Sequence, residues 1–348
     1  MSKKLNIIIV GFGGMGGFHF EKLNLNEHYH VQGIYDIDEA VQKKAEQESI
    51  KSYTSLDEVV NDETVDAVLI ATPNDSHKSI SIQALQYDKH VICEKPVTLT
   101  SEDLKEIIDV ADKQNKVFMV HQNRRWDDDF HLVKSLYQTK QIGEIFHIES
   151  RVYGANGIPG DWRKEELYGG GMLYDWGVHL LDQLLWLFDY DVDNLSGELS
   201  YILGNDVDDG FTVHLNFKDV TTIVEVSTTS FIKLPRWYVK GTEGTAVVHD
   251  WDLQNEVVCP VKSKEQSHPK PIKAGAGLTK TMAPPSEDAV TKGSINAIDF
   301  EMESFYDNFY NTVYDNAEPI VKNEQVLKTM EIIEKVFEAV QNEKIIKF

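Results

Sequence analysis

The stretch Val10-Gly11-Phe12-Gly13-Gly14-Met15-Gly16 decides the fold of this chain. It follows an apolar run at Leu5–Val10, which predicts a buried strand, and it precedes a segment that predicts a helix. A Gly-x-Gly-x-x-Gly pattern in that context is typical of a turn that binds a dinucleotide. The first glycine permits the tight turn, the second lets the backbone approach a pyrophosphate, and the third lets the helix pack on the strand. The N-terminus of that helix then offers free N–H groups to the phosphates.

An acidic residue stands where this pattern requires one. Asp36 ends the second predicted strand, 20 positions beyond Gly16, and a carboxylate there accepts hydrogen bonds from ribose hydroxyls. The same charge repels a 2′-phosphate, and no Arg or Lys follows before Lys43. We therefore predict NAD rather than NADP as the cofactor. The alternative that the residues leave open is a structural glycine turn followed by an Asp that occurs there by chance.

The first 120 residues alternate short apolar runs with amphipathic segments, which predicts βαβ units and a doubly wound parallel sheet. The predicted strands are Leu5–Val10, Val31–Asp36, Ala67–Ala71, His90–Cys93 and Val117–Val120. The predicted helices include one that ends at His19–Asn24, then Glu39–Glu48, Ser76–Tyr87 and Ser101–Asn115, the last with Ser101 as its cap. Because ligands bind at the carboxyl ends of parallel strands, Thr72, Pro73, Asn74 and His77 are candidate contacts of the dinucleotide.

After residue 122 the pattern changes to that of an α+β domain with a large open, mostly antiparallel sheet. A strand is predicted at Ile145–Tyr153, and antiparallel strands at Leu199–Leu203, Phe211–Phe217, Thr221–Thr229, Trp237–Lys240 and Ala246–Asp250. The predicted helices are Phe130–Gln138, Val178–Phe188, Asp299–Asn316 and Val326–Gln341. Pro260–Ser294 predicts a long loop over the sheet. We therefore predict a Rossmann domain at 1–122 and a second domain at 123–348.

Composition and charge exclude several classes of protein. The 348 residues hold 57 Asp and Glu against 34 Lys and Arg, a formal net charge of −23, whereas nucleic-acid binding depends on cations that neutralise phosphates. We expect neither nucleic acid nor membrane as a partner, because no apolar stretch approaches the ~20 residues of a membrane span. The first apolar run is too short for a signal peptide, so we predict a cytoplasmic protein. Cys93 and Cys259 lack metal-ligand spacing, which predicts reduced thiols and no metal site.

Two segments carry candidate catalytic side chains. Lys95 follows the strand His90–Cys93, and a Lys at the end of a buried strand either polarises a substrate hydroxyl or forms a surface salt bridge. Further along, three glycines at 169–171 precede Asp175 and His179, which share one face if the segment is helical. A His beside a carboxylate accepts a proton readily near neutral pH. The alternative is that Asp175 caps the helix and His179 packs in the core.

Taken together, these motifs resemble the family named for glucose–fructose oxidoreductase, inositol dehydrogenase and a rhizopine-catabolism protein, Gfo/Idh/MocA. The resemblance covers nearly the whole chain and includes the glycine turn, Glu94-Lys95-Pro96, the junction segment 121–126, and the segment from Gly171 through Asp175 to His179. Segments 124–127 and 171–183 are most similar to scyllo-inositol dehydrogenases of bacteria. Position 36 departs from the best-known NADP-using members, since Asp stands there in place of a small residue.

The resemblance implies a set of site residues and an assembly. It implies that Lys95, Asp175 and His179 are catalytic and meet beside the nicotinamide, that the Lys95–Pro96 peptide is cis, and that dimers or tetramers form through the second sheet. The predicted substrate contacts are Lys95, Arg124, Tyr153, Asp175 and His179. The predicted cofactor contacts are Gly11, Phe12, Gly13, Gly14, Met15, Gly16, Asp36, Thr72, Pro73, Asn74, His77, Glu94, Lys95, Asn123, Trp162 and Arg163.

These observations lead to the prediction of an NAD-dependent oxidoreductase that acts on a carbon bearing a hydroxyl group in a sugar or cyclitol. His179 is predicted to accept the hydroxyl proton, and Lys95 to stabilise the charge that develops on the same oxygen. Two rival functions stay open. One is a glycosidase that uses bound NAD transiently for oxidation and elimination, and the other is a sensor that binds a dinucleotide without catalysis.

Overall fold

The structure is a computed structural model that describes residues 3–261, 271–283 and 285–348. Its first layer is a parallel sheet whose strands are β1 (Leu5–Val10), β2 (Tyr29–Tyr35), β3 (Ala67–Ile70), β4 (His90–Cys93) and β5 (Phe118–Val120). The helices connected to it are α1 (Gly14–Leu25), α2 (Glu39–Gln47), α3 (Leu56–Asn61), α4 (His77–Gln86) and α5 (Ser101–Gln114). The β3 and β5 strands are continuous apolar runs, and β1 is apolar apart from Asn6, because a parallel sheet is covered on both faces.

The strand order β2-β1-β3-β4-β5 brings all carboxyl ends to one edge. In this order β2 and β3 flank β1 on opposite sides, so the connections that follow β1 and β3 diverge. A crevice therefore opens between the carboxyl ends of β1 and β3. This confirms the predicted doubly wound sheet. One detail of the prediction is wrong: Thr100, not Ser101, caps α5, because the Thr100 side chain accepts a hydrogen bond from the Asp103 backbone N–H.

The second layer is a larger sheet that begins with β6 (Ile145–Tyr153). Its further strands are β7 (Val192–Ser200), β8 (Gly210–Phe217), β9 (Thr221–Ser227), β10 (Trp237–Gly241), β11 (Gly244–Val248) and β12 (Asn255–Pro260). A hairpin of β13 (Ile272–Ala274) and β14 (Gly277–Thr279) is separate from the sheet, which β15 (Val290–Gly293) and β16 (Ile346–Lys347) complete at its two edges. The helices of this part are α6 (Asp128–Thr139), α7 (Val178–Leu187), α8 (Phe305–Asp315) and α9 (Asn323–Gln341).

The order β15-β12-β11-β10-β6-β9-β8-β7-β16 confirms a large, mostly antiparallel sheet but corrects one pairing. The strand β9, predicted as antiparallel throughout, runs parallel to β6 and antiparallel to β8. The reason lies between β6 and β9, where the chain makes a long connection through α7, and a parallel pair needs such a connection.

Three further predictions for this part need correction. The strand predicted at Leu199–Leu203 instead runs from Val192 to Ser200. It ends there because the Asp209 carboxylate binds the Ser200 hydroxyl and the Leu203 N–H and holds the chain in a turn. The loop predicted at 260–294 instead contains the hairpin and the edge strand β15, while 262–270 and 284 lie outside the described residues. The helix predicted from Asp299 begins at Phe305, where Ser304 caps it.

The chain after residue 122 is not confined to the second sheet. The helix α8 returns to the first layer, where Tyr29 Oη donates to the Tyr306 carbonyl at 2.6 Å and Tyr310 Oη donates to the Lys3 carbonyl at 2.8 Å. The division at 122 therefore stays a prediction, and the C-terminal residues pack against both layers. Within the described ranges, no helix combines the length and the apolar character needed to cross a membrane.

Candidate active site

The glycine turn lies at the crevice between β1 and β3. Gly11 has a φ of +87°, and a Cβ there would come within 2.7 Å of the Ala71 carbonyl oxygen. A Cβ at Gly16 would lie 2.1 Å from the Gly11 oxygen, so Gly16 permits the close contact of helix and turn. At Gly13 and Gly14 a Cβ would meet no atom within 4 Å. The backbone there faces open space, and this space fits the pyrophosphate of a dinucleotide.

Asp36 lies against this turn. Its Oδ2 accepts a hydrogen bond from the Phe12 N–H at 2.7 Å, and its Oδ1 accepts one from the Asp38 N–H at 2.9 Å. The Phe12 ring turns away and packs edge-on against Phe20, with 5.6 Å between the ring centroids. The carboxylate is thus fixed by the backbone, and it keeps acceptor positions for a ribose.

A cleft of about 640 Å³ runs from this turn to the ends of the neighbouring strands. Most of the predicted cofactor contacts line it, together with Asp175: Gly11, Gly13, Gly14, Met15, Asp36, Thr72, Pro73, Asn74, Glu94, Lys95, Trp162 and Arg163. It is also lined by residues that the sequence did not single out, among them Tyr35, Ile37 and Ile80, and by Asp161, which precedes Trp162 and Arg163. Phe12, Gly16, His77, Asn123, Arg124, Tyr153 and His179 are outside this lining.

Lys95 and Asp175 form an ion pair on the cleft wall. The Lys95 Nζ donates to Asp175 Oδ1 at 3.2 Å and to the Asp175 carbonyl oxygen at 3.0 Å. Arg163 Nε lies 3.4 Å from Asp175 Oδ2. Burial raises the pKa of Asp175, but the charges of Lys95 and Arg163 outweigh burial and hold this pKa below its usual value. The Lys95–Pro96 peptide is cis, so the family resemblance implied this feature correctly.

His179 lies on α7, behind this pair. The ring is almost fully buried, and its Nδ1 has no hydrogen-bond partner among the described residues. Burial is the largest cause that lowers the pKa of His179 well below its usual value, and the charges of Lys95 and Arg124 act in the same direction. Asp175 lies on a π-helical turn, Leu173–Gly177, and its carboxylate binds Lys95 and Arg163. The expected Asp175–His179 contact is therefore not formed in the part of the chain that is described.

Glu94 is held by two histidines that sequence reasoning missed. Its Oε1 accepts hydrogen bonds from His19 Nε2 at 2.9 Å and from His121 Nδ1 at 2.8 Å, and Tyr306 Oη lies 2.8 Å from His19 Nδ1. Burial raises the pKa of Glu94, but the charge and hydrogen bond of His121 and the hydrogen bond of His19 hold this pKa well below its usual value. His121 and Glu94 end adjacent strands, a signal that could have revealed their contact.

The same trio has the donor atoms of a metal site. The ligand atoms of His19, Glu94 and His121 lie within 4.8 Å of one another, whereas the sequence predicted no metal. In this structure the three side chains bond to each other, which accounts for their proximity without an ion.

His77 and Tyr153 do not line the cleft. The fully buried His77 ring lies 2.9 Å from each of the carbonyl oxygens of Pro96 and Thr72. It thereby connects the segments that follow β3 and β4. Tyr153 bonds Glu225 on the open face of the second sheet. The neighbouring residue Val152 points to the opposite, helix-covered face, as alternation along a strand requires.

Arg124 lies between two tryptophans near His179. Its guanidinium carbon is 4.5 Å from the Trp176 ring centroid and 5.2 Å from that of Trp251, and its Nη1 donates to Asp127 at 2.8 Å. The Trp176 ring is also 6.2 Å from the His179 ring. Arg124 is therefore close enough to the candidate base to contact a substrate, while Asn123 only begins the short helix Asn123–Trp126.

Comparisons with known proteins agree with this geometry. Residues 5–122 match the family model described as "Oxidoreductase family, NAD-binding Rossmann fold", and residues 130–247 match "GFO/IDH/MocA C-terminal domain". The crystal structure of an NAD-binding protein from Listeria innocua is 54% identical, covers 100% of both chains and superposes with a TM-score of 0.97. The uncharacterized oxidoreductase YhhX of Escherichia coli is 29% identical over 96% of each chain. The scyllo-inositol 2-dehydrogenase (NADP(+)) IolW of Bacillus subtilis is 24% identical and covers 96% of this chain and 93% of its own.

Proposed function

The chain belongs to the GFO/IDH/MocA family of oxidoreductases, and from this premise we propose that it is an NAD-dependent dehydrogenase for a secondary alcohol or ketone carbon of a sugar or cyclitol. Membership of the family confirms the predicted resemblance and a nicotinamide dinucleotide cofactor. The observation that carries the proposal is the Lys95–Asp175 pair in the same cleft as the glycine turn and Asp36. The buried His179 is near enough to feel the charge of Lys95, and its Nδ1 has no hydrogen-bond partner among the described residues.

The residues present fit the cofactor. The backbone at Gly13 and Gly14 would receive the pyrophosphate, and Asp36 would bind the ribose of the adenosine half. When bound, the cofactor supplies the exchange of a hydride with the substrate carbon. Trp162 and Arg163 line the far end of the cleft beside Lys95, where they would cover the nicotinamide half.

Two side chains of this protein, Lys95 and His179, then act on the substrate oxygen. Lys95 donates a hydrogen bond to it and stabilises its negative charge in the transition state. Asp175 holds the Lys95 ammonium in place. His179 accepts the hydroxyl proton, because burial and nearby cations keep its imidazole neutral and its pKa low.

The preference for NAD over NADP depends on Asp36. Its carboxylate lines the cleft; there it would accept hydrogen bonds from the ribose hydroxyls of the adenosine half and would repel a 2′-phosphate. The name of the relative IolW specifies NADP, so this preference is a property proposed for this chain alone. The proposal also includes the cytoplasmic location and the dimer or tetramer formed through the second sheet, as predicted from the sequence.

The test is a screen of NAD⁺ and NADP⁺ reduction over inositols, aldoses, ketoses and sugar acids, read at the absorbance of the reduced nicotinamide. With the best substrate, His179→Ala is expected to lower kcat by about 10²–10⁴-fold and to leave the Kd for NAD⁺ unchanged. His214→Ala on β8, an exposed histidine, is the matched control and should retain full activity.

Three outcomes would contradict the proposal. Turnover by His179→Ala within a few-fold of the parent would show that His179 is not the acid–base. Release of an aglycone without net NADH would favour the glycosidase, and dinucleotide binding without any turnover would favour the sensor.

A further inference from the structure

The charges at the Lys95 end of the cleft do not balance. Among the described residues that line this end, Glu94, Asp161 and Asp175 are carboxylates, and Lys95 and Arg163 are cations. Lys95 pairs with Asp175, and Arg163 Nη1 lies 2.9 Å from Asp161 Oδ2. Glu94 is the carboxylate that is left without a Lys or Arg partner, and its side-chain partners are the His19 and His121 rings. With these two rings neutral, this end carries one negative charge in excess.

The Glu94 carboxylate is fixed and shielded from water. It is 5% exposed, and its bonds come from the His19 and His121 rings and from the Lys95 backbone N–H at 3.1 Å. None of these donors has to be a cation to make its hydrogen bond. The pKa of Glu94 lies well below its usual value, because the interactions with His121 and His19 outweigh the cost of burial. A buried charge is screened by salt much less than an exposed one.

The position of Glu94 matters because of the cofactor that the proposed function implies. The glycine turn and Asp36 would hold the pyrophosphate and the adenosine half at one end of the cleft, so the nicotinamide ring would reach the other end, which Lys95 and Glu94 line. That ring carries a positive charge in NAD⁺ and none in NADH. An uncompensated carboxylate near the ring therefore interacts differently with the two forms.

We propose that Glu94 sets the preference of the site for the oxidised over the reduced cofactor, so that its fixed charge strengthens the binding of NAD⁺ relative to NADH. This inference rests on the proposed function and deepens it. Tighter binding of the oxidised form lowers the reduction potential of the bound cofactor and lets NADH dissociate more readily than NAD⁺. His19, His121 and Tyr306 are positioning residues in this arrangement, since they hold the carboxylate and do not line the cleft.

The experiment is calorimetric titration of the full-length protein with NAD⁺, NADH and ADP-ribose, which lacks the nicotinamide ring. The quantity of interest is the Kd for NADH divided by the Kd for NAD⁺. In Glu94→Gln this ratio should fall about tenfold, the change expected for one charge acting over a few ångströms in a partly buried site. In Lys95→Met the ratio should rise, because a positive charge next to the ring is removed. The affinity for ADP-ribose should stay within about twofold in both variants.

Asp36→Asn is the matched control. It removes one negative charge from the same cleft, but at the adenosine end, where the two forms of the cofactor are identical. It should weaken NAD⁺ and NADH equally and leave the ratio unchanged.

The outcomes separate the inference from the proposed function. If the ratio of Kd values in Glu94→Gln equals that of the wild type, the inference about Glu94 is overturned, while the proposed dehydrogenase function is unaffected. If Glu94→Gln does not fold, Lys95→Met provides the test. The inference is then overturned if the Kd for NADH divided by the Kd for NAD⁺ does not rise in Lys95→Met. A wild-type protein that binds neither NAD⁺ nor NADH overturns both.

Discussion

Asp36 shows how a single carboxylate shapes a turn and selects a ligand. Its two oxygens accept hydrogen bonds from the Phe12 and Asp38 N–H groups, which fixes the side chain without a cation. The charge is therefore not neutralised, and it faces the cleft. A ribose hydroxyl can donate to such a group, whereas a phosphate is repelled by it.

Asp36→Ala is expected to raise the Kd for NAD⁺ about tenfold or more, because a hydrogen bond to a charged group is lost. The Kd for NADP⁺ should change less or fall, so the NADP⁺/NAD⁺ ratio of Kd values decreases. Parallel fluorescence titrations with the two cofactors measure this ratio.

Asp38→Ala provides the control for this prediction. Asp38 caps α2 by accepting a hydrogen bond from the Ala40 N–H, so its loss should cost about 1 kcal/mol of stability without changing cofactor preference. A NADP⁺/NAD⁺ ratio that moves equally in both variants would refute the assignment of the ribose to Asp36.

At the scale of elements, the turn that carries Asp175 depends on Asp208. The segment Leu173–Gly177 is π-helical, and the Asp208 Oδ2 accepts a hydrogen bond from the Leu173 N–H at 2.9 Å. A π-helical turn shifts the angular spacing of residues relative to an α-helix. This explains why Asp175 faces Lys95 while His179, four positions later, does not share its contacts.

The pH dependence of stability should report on Asp208. Burial raises the pKa of Asp208 from 3.8 to about 7, although the backbone N–H groups of Leu173 and Met172 oppose this shift. A carboxyl group with a raised pKa in the folded state binds its proton more tightly there. Its contribution to stability is therefore present at low pH and is lost as the pH rises through about 7.

The variant Asp208→Asn, which is neutral at every pH, isolates this contribution. The quantity to follow is the melting temperature of the wild type minus that of Asp208→Asn. This difference should fall as the pH is raised from about 4 to about 7, and it should stay constant at higher pH. Differential scanning calorimetry over a pH series measures it. Asp206→Asn changes an exposed neighbour and is the control: its melting temperature should depend on pH as that of the wild type does. Parallel curves of melting temperature against pH for the wild type and Asp208→Asn would contradict the prediction.

Strand alternation decides the role of Tyr153. On β6 the buried Ile148 and Ser150 face the helices, whereas Glu149, Arg151 and Tyr153 point to the open face. Tyr153 therefore lies on the open face of the second sheet, on the opposite side from the buried Ile148 and Ser150.

Tyr153→Phe is consequently expected to leave kcat and the KM for substrate within about twofold of the wild type, because surface substitutions away from a site have small effects. Arg124→Ala should raise the KM about tenfold or more through the loss of a charged hydrogen bond. Steady-state kinetics compares the two. An equal rise in KM for both variants would restore Tyr153 as a substrate contact.

These elements also show what the sequence could predict. Local patterns were sufficient for the bounds of β1, β4 and β6 and for the glycine turn with Asp36, because periodicity and turn chemistry depend on near neighbours. Contacts between distant segments could not be read in this way. The His19–Glu94–His121 bonds, the Asp208 contact and the parallel pairing of β6 with β9 arise from tertiary packing.

At the scale of the whole molecule, Arg125 joins three parts of the chain. It is fully buried, and its Nε and Nη2 bond both oxygens of Asp182 on α7 at 2.8 and 2.7 Å. Its Nη1 donates to the Ile320 carbonyl and to Gln325 at the start of α9. The junction after the first layer is thereby tied to the helix that carries His179 and to the C-terminal helix.

Arg125→Met should lower the free energy of unfolding by about 3–5 kcal/mol, because it leaves the Asp182 carboxylate buried without its partner. Urea denaturation followed by tryptophan fluorescence measures this loss. The double variant Arg125→Met with Asp182→Leu should regain much of it, since an apolar pair needs no compensating charge. The adjacent Arg124→Met is the matched control: its partly exposed pair with Asp127 contributes about 0–1 kcal/mol, and its contacts with Trp176 and Trp251 contribute about 0.5–1 kcal/mol each. The loss in Arg124→Met should therefore stay below that in Arg125→Met. Equal stability losses for the two arginines would show that the buried bonds of Arg125 do not hold the layers together.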